Sequence, residues 1–372
     1  MVSWRILAGG YDAFIATYIF TATANSTSLE LWAKSATGQN PTWLTRHPDN
    51  HSLIYTVNEQ GNGQMQSYLI NPVGTLSVAL DNAGTLGANP QHIAALSTGK
   101  IMVVNTSTGS GRLVNTTASG AKFNVSAPVE YVTFPANITL GEESNPSMIL
   151  EYKNELWIPD RGRDFIWRVI EQPVGPNITD IFKLNITGNI SQPEGSGPRQ
   201  IAIFEDRLYT IQEKSSTLMV QTVPELPEDN STVLARLPII PEDAPRYNVE
   251  WAAGALVIPP RSEKFPDSYI YVSNRNLGVP DSRGDTIAIF ELVNKGTEDE
   301  TLQLVKQVYT GLNQIRAVSI GPVEDGGDEF LLASGQAGQA GVVVFQRVDG
   351  GRDLKPVAQN REIPNRTSFV WL

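Results

Sequence analysis

PRQIAIFEDRLYTIQEKSSTLMVQTV, residues 198–223, decides the fold. A proline anchors the segment. Three short β-rich runs follow, IAIF, RLYTIQ and TLMVQTV, and they are parted by polar turns. The second run ends on the polar residues Gln212 and Glu213. The same succession of anchor, strand, turn, strand with a polar end, and strand recurs in PQHIAALSTGKIMVVNTSTGSGRLV (90–114) and PSMILEYKNELWIPDRGRDFIWRVI (146–170). Longer versions begin at Trp43, Trp251 and Gln314. Anchors near residues 43, 90, 146, 198, 251 and 314 give a period of about 50, the length of a propeller blade. Residues Trp4 to Lys34 supply strands for another blade, and 372 residues divided by seven is about 53. No long helical period interrupts the pattern. The expectation is an all-β chain, 1–372, forming one seven-bladed β-propeller, with the terminal SFVWL strand closing the ring against the N-terminal blade.

Composition narrows the function. Hydrophobic residues are 41% and charged residues 18%, enough apolar material for a large core. The net charge is −11, which disfavours nucleic acid as a partner because phosphate binding requires a basic surface. No apolar stretch approaches the ~20 residues of a membrane span. There is no cysteine, so disulfides, thiolate nucleophiles and cysteine-based zinc sites are excluded. Three histidines, two of them four residues apart in a loop pattern, are a poor basis for a catalytic metal, and no cofactor is expected. Asn-x-Ser/Thr sequons stand at Asn25, Asn50, Asn105, Asn115, Asn124, Asn137, Asn177, Asn185, Asn189, Asn230 and Asn365, eleven of 25 asparagines. That density points to a secreted, N-glycosylated protein.

In a propeller the loops of all blades converge at the mouth of the central channel. Two positions per blade should face it. Those after the anchor turn are Trp43, Gln91/His92, Ser147, Arg199/Gln200, Trp251 and Ile315/Arg316. Those at the polar end of the second strand are Tyr11, Glu59, Asn105, Asp160, Glu213, Arg275 and Gln336. Arg199 and Arg275 suit an anionic or carbonyl oxygen, which a guanidinium holds by two parallel hydrogen bonds. Glu213 reads either as an acid–base group or as an interblade ion-pair partner. Trp43, Trp251, Tyr11 and Phe369 are aromatic candidates for the walls, with Ser147, Gln200 and Gln336 as polar ones. His92 reads either as a base or as a hydrogen-bonded turn residue.

The segments RHPDNHSLIYTVNE, NPQHIAALSTGKIMVVN, GPRQIAIFEDRLYTIQE, YIYVSNR and VVVFQRVDGG, in order and at blade spacing, resemble the lactonase family of seven-bladed propellers. That family includes 6-phosphogluconolactonase and the fungal carboxymuconate cycloisomerase. The resemblance implies that Arg199, Glu213 and Arg275 are catalytic. The family histidine is replaced by Ser147, and the GPRH pattern becomes GPRQ with Gln200, which leaves His92 as a substitute base. The secreted branch is similar to fungal hetero-Diels–Alderases of tropolone–sesquiterpenoid biosynthesis. This implies cycloaddition of an o-quinone methide with a humulene-type alkene, in which held reactants and donors on the heterodiene oxygen lower the barrier. Small apolar or polyketide–terpenoid molecules would be the partners. A lactone hydrolase or muconate-type cycloisomerase, and a non-catalytic binding propeller, stand beside that reading.

Overall fold

A computed structural model describes the chain except residues 127–128, 138, 140, 174–181, 228 and 245–249. Seven four-stranded antiparallel sheets are found among the described residues, each in blade order. The first blade joins β1 (Val2–Gly10), β2 (Phe14–Ala22) and β3 (Thr27–Ala36) to β28 (Arg366–Trp371) from the other end of the chain. The second holds β4 (Leu44–Arg46), β5 (Leu53–Asn58), β6 (Gln64–Leu69) and β7 (Asp81–Gly84). The third holds β8 (Pro90–Ala95), β9 (Ile101–Asn105), β10 (Ser110–Val114) and β11 (Glu130–Thr133). The fourth holds β12 (Leu150–Tyr152), β13 (Glu155–Asp160), β14 (Phe165–Pro173) and β15 (Phe182–Ser191). The fifth holds β16 (Pro198–Phe204), β17 (Arg207–Gln212), β18 (Thr217–Thr222) and β19 (Val233–Pro238). The sixth holds β20 (Trp251–Val257), β21 (Ile270–Asn276), β22 (Thr286–Val293) and β23 (Thr301–Tyr309). The seventh holds β24 (Asn313–Ile320), β25 (Phe330–Ala337), β26 (Gly341–Val348) and β27 (Asp353–Asn360). The expected ring closure is present: β28 pairs antiparallel with β1, from Ile6↔Trp371 to Gly10↔Arg366.

Strand position within a blade explains its residue pattern. A middle strand is covered on both faces by neighbouring blades, so it reads as a continuous apolar run rather than an alternation. All six residues of β5 (LIYTVN) and all seven of β21 are buried. An outermost strand has water on one side, and β19 and β23 are exposed or half-buried along most of their length. The core is accordingly a set of interblade layers. Tyr271, Ile287 and Ile289 of the sixth blade pack against Leu331, Ala333 and Phe345 of the seventh. Trp4 and Phe20 of the first blade meet Phe330 of the seventh, with Trp4 and Phe20 stacked at 5.5 Å between centroids. Burying such rings supplies about 2–3 kcal/mol each, without the disulfides the chain lacks.

Four of the innermost strands share one irregularity. The register slips between Pro90 and His92 in β8, between Pro198 and Gln200 in β16, between Ile315 and Ala317 in β24, and between Gly9 and Gly10 opposite β28. The residues left without a partner across the ladder are Gln91, Arg199, Arg316 and Thr367. A bulge frees one residue from the alternation and re-aims its side chain.

Candidate functional site

Those four bulge residues line one small cavity, of about 20 Å³, together with Thr42, Trp43, Ser147 and Gln200. A second space of about 130 Å³ shares Trp43, Gln200, Arg316 and Thr367 with it and reaches Phe369. Around them lies a charged cluster to which every blade contributes: Tyr11, Glu59, Gln91, Arg161, Arg199 and Glu213, Arg275, and Arg316, in blade order.

Glu213 is its hub. The Arg199 guanidinium is ion-paired to Oε2, with Arg161 Nη1 at 3.1 Å from the same oxygen and Arg275 Nη2 at 3.2 Å from Oε1. Burial pushes the Glu213 carboxyl up, but Arg199, Arg161 and Arg275 together outweigh it and hold it well below the usual carboxylate range. Glu213 is therefore a fixed negative charge at neutral pH, and no proton acceptor of useful strength.

Backbone carbonyls hold two of the guanidiniums in place. Arg199 Nε donates to the carbonyl of Gly254 at 2.8 Å, and Arg275 Nη2 to that of Ala253 at 2.9 Å. Gly254 has to be glycine, because a Cβ there would collide with the carbonyl oxygen of Ile315 on the next blade. Burial and the neighbouring Arg199 lower Arg275 to about 9 against the opposing pull of Glu213. Arg161 is aimed by Asp160. The buried Asp160 carboxylate accepts the backbone N–H groups of Asn145 (2.6 Å) and Gly162 (3.0 Å), the Ser144 hydroxyl (2.5 Å) and Trp167 Nε1 (2.8 Å). That locks the turn on which Arg161 sits, and Arg161 Nη2 then reaches Gln91 Oε1 at 3.2 Å.

The opposite side is bonded loosely. Tyr11 donates to Glu59 Oε1 at 3.5 Å, while Glu59 Oε2 is buried with no hydrogen-bond partner. Arg316 Nη2 lies 4.0 Å from Glu59 and its guanidinium 5.5 Å from the Tyr11 ring centre. Among the described residues Arg316 donates no hydrogen bond, and burial lowers its basicity. Burial also pushes the Tyr11 phenol up, against the pull of Arg316.

Arg199, Glu213 and Arg275 thus meet, as the sequence predicts. Trp43, Ser147, Gln200 and Phe369 line the two spaces. Ser147 already uses its hydroxyl, which donates to the carbonyl of Arg199 at 2.7 Å, and Gln200 Oε1 accepts the N–H of Leu256 at 2.8 Å. Trp251 and Gln336 are half-buried at their strand ends, with no hydrogen bond to the cluster among the described residues. His92 is displaced by its bulge: Gln91 turns to the axis and His92 turns inward. Its ring is buried 4.4 Å from that of Trp43, its Nδ1 has no partner, and desolvation pushes its pKa down to about 3, far too low for a base working at neutral pH. Two positions expected at the channel are corrected. Asp160 is fully buried and serves the turn, so the axial residue of that blade is its neighbour Arg161. Asn105 is fully buried and its amide donates to Thr85 O (3.1 Å) and Ser110 Oγ (3.2 Å), which also removes it as a glycan acceptor on the folded chain. Among the other sequons, Asn25, Asn50, Asn124 and Asn230 are exposed, whereas Asn115, Asn137, Asn185, Asn189 and Asn365 are half-buried; Asn177 lies outside the described residues.

The family model for lactonases with a seven-bladed β-propeller matches residues 5–371. The chain belongs to that family. Solved structures of similar shape include the periplasmic gluconolactonase of Pseudomonas aeruginosa, with TM-score 0.78 and 20% identity over 100% of this chain and 99% of the other. A putative 6-phosphogluconolactonase of Bacteroides fragilis follows, with TM-score 0.77 and 18% identity over 100% and 98%. A protein of Lactobacillus plantarum gives 0.78 and 19% over 100% of both chains. At such identities the likeness is one of fold. No curated protein matches the sequence. Among the described residues no group of three or more His, Cys, Asp or Glu side chains could hold a metal ion, and no helix is long and apolar enough to cross a membrane.

Proposed function

We propose that this lactonase-family propeller is an enzyme that opens a lactone ring at the axial cluster. The observation that carries the reading is Arg316: a guanidinium facing both cavity spaces whose donors the protein leaves unused. Buried polar groups are ordinarily hydrogen-bonded, so a free fork beside a cavity is capacity reserved for a ligand. Four guanidiniums against two carboxylates make the funnel positive inside a chain of net charge −11. Field focused in this way draws in an electron-rich carbonyl or an anion and stabilises the oxyanion that forms on attack.

The chemistry follows from unused capacity. Arg316 donates to the lactone carbonyl oxygen. Water adds to the carbonyl carbon, giving its proton to Glu59 Oε2, the carboxylate oxygen with no hydrogen-bond partner. The bond from the carbonyl carbon to the ring oxygen then breaks, and the proton passes to the departing alkoxide, leaving a hydroxy acid. Glu213 takes no proton and holds Arg161, Arg199 and Arg275 in their array. The lactonase names of two neighbours support this substrate class. Cycloaddition of a tropolone quinone methide with a humulene-type alkene ranks second. The same donors serve its heterodiene oxygen, but a pocket that encloses a drug-sized molecule measures roughly 300–1,000 Å³, and the axial spaces here are smaller.

The test is ring opening of glucono-δ-lactone and of a phosphorylated sugar lactone, followed by NMR against the spontaneous rate. Turnover that falls in Arg316→Ala is expected. Spontaneous rates with every lactone, together with enantioenriched product from a hydroxymethyl tropolone and humulene, would replace the lactone reading by the cycloaddition. Secretion and N-glycosylation belong to the proposal too, supported by the four exposed sequons. A mass loss on peptide N-glycosidase treatment of protein from a eukaryotic host is the check.

A further inference from the structure

Asp285 stands between the strands that carry Arg275 and Arg316, fully buried, just before β22. Its Oδ2 accepts two backbone N–H groups: that of Asn276, next to Arg275 on β21, at 2.9 Å, and that of Gln314, two residues before Arg316 on β24, at 2.5 Å. Its own main chain is stitched to the same turn, with Asp285 N donating to Leu312 O at 2.6 Å and Thr310 Oγ1 donating to Asp285 O at 2.8 Å. Gln314 has a φ of 55°, a left-handed conformation that costs a side-chain-bearing residue energy and persists only where its surroundings hold it. This strained residue stands directly before the bulge between Ile315 and Ala317 that aims Arg316. One carboxylate oxygen therefore ties two blades together at the root of two axial guanidiniums.

We propose that Asp285 is a positioning residue whose ionised carboxylate sets the relative placement of Arg275 and Arg316, so that the axial cluster loosens as the carboxylate takes up a proton. This rests on reading the cluster as the binding site. The second oxygen, Oδ1, is buried and has no partner, so it is the open place for that proton. With the charge gone, Oδ2 still faces both N–H groups but loses the charge assistance that roughly doubles such bonds. The charged groups facing the carboxyl are Asp281, from its own loop, and Arg275, from β21; from β24 it meets the Gln314 N–H. Asp281 is itself paired with Arg283 at 2.8 Å. Burial pushes Asp285 up to about 6, the Asn276 and Gln314 N–H groups oppose this, Asp281 adds to it and Arg275 subtracts. The latch should thus hold well above pH 6 and loosen below it.

The experiment reads the guanidiniums directly and needs no substrate. The Nε–Hε resonances of Arg275 and Arg316 are followed by NMR on the full chain from pH 5 to pH 8. Both should shift along one titration with a midpoint near 6. Asp285→Asn should flatten both curves, and Asp281→Asn, which removes the adjacent like charge and leaves the latch in place, should move the midpoint to lower pH. Flat curves in the unaltered protein, or curves that survive Asp285→Asn, overturn the assignment. If Asp285→Asn does not fold, an unmoved midpoint in Asp281→Asn overturns it instead. Lactone turnover is measured in parallel. Spontaneous rates alongside intact titration curves would defeat the enzymatic reading and leave the latch standing.

Discussion

The two flanks of the axial cluster are built differently. On the fourth to sixth blades, Arg161, Arg199 and Arg275 surround one carboxylate, and each is further tied to a backbone carbonyl or to Gln91. On the seventh, first and second blades, Arg316, Tyr11 and Glu59 stand within 3.5–5.5 Å of one another with bonding capacity unspent. The saturated flank gains rigidity and fixed charge; the unsaturated flank is the one with hydrogen-bonding capacity left to offer. Arginine count alone would miss this difference. What distinguishes a binding guanidinium from a scaffolding one is how many of its five donors the protein has already taken.

The comparison breaks most visibly at Glu213. Glu213→Gln leaves three guanidiniums facing one another without their counter-charge, and losing one partner of a buried pair costs about 3–5 kcal/mol. A fall of that size in urea unfolding, together with lost turnover, is expected, whereas stability within about 1 kcal/mol of the parent would show that the saturated flank is not a scaffold. Arg316→Ala should do the reverse. Stability should fall by less than in Glu213→Gln, because only the 4.0 Å pair with Glu59 and the contact over Tyr11 are lost and no hydrogen bond is, while kcat/KM for a lactone falls by about a hundredfold or more, the scale of one oxyanion donor.

Glu59→Gln sharpens the assignment on the same flank. The variant keeps the shape and removes the proton acceptor, so kcat should fall about a hundredfold with KM little changed. An unchanged kcat would move the base elsewhere. Acid stability tests His92. Its folded pKa is pushed down from 6.5 to about 3, so the unfolded chain binds its proton first as the pH drops. Stability is fully present above pH 6.5 and is lost as the pH falls through that window towards 3. His92→Phe should remove this part of the acid sensitivity in pH-dependent thermal melts. The smallest effect is expected at Ser147→Ala, which deletes a hydroxyl donating to Arg199 O and should cost about 1 kcal/mol with turnover retained.

The blades were legible because each repeats a strand–turn–strand unit, and middle strands covered on both faces write themselves as apolar runs. The meeting of Arg199, Glu213 and Arg275 was legible for the same reason: equal positions in equal repeats converge on one axis. What was hidden is register. A bulge shifts facing by one residue and leaves no compositional mark. Reading Gln91/His92 as a pair left open which one faces the axis, and reading Asp160 as axial missed Arg161 by a single position. The signal at Arg161 was a second polar residue directly after the strand's polar end. Gly254 was equally silent, since the need for glycine there comes from Ile315, about 60 residues further along the chain.

The seam between β1 and β28 has a mechanical consequence. The strands run antiparallel, and the rung at the chain ends, Ile6↔Trp371, lies nearest to both Val2 and Leu372. Tension applied through those two ends would arrive at that rung and part the strands one pair at a time towards Gly10↔Arg366, as a zipper opens, instead of shearing every rung at once. A ring fastened by pairing its own two chain ends would yield to a pull at its clasp.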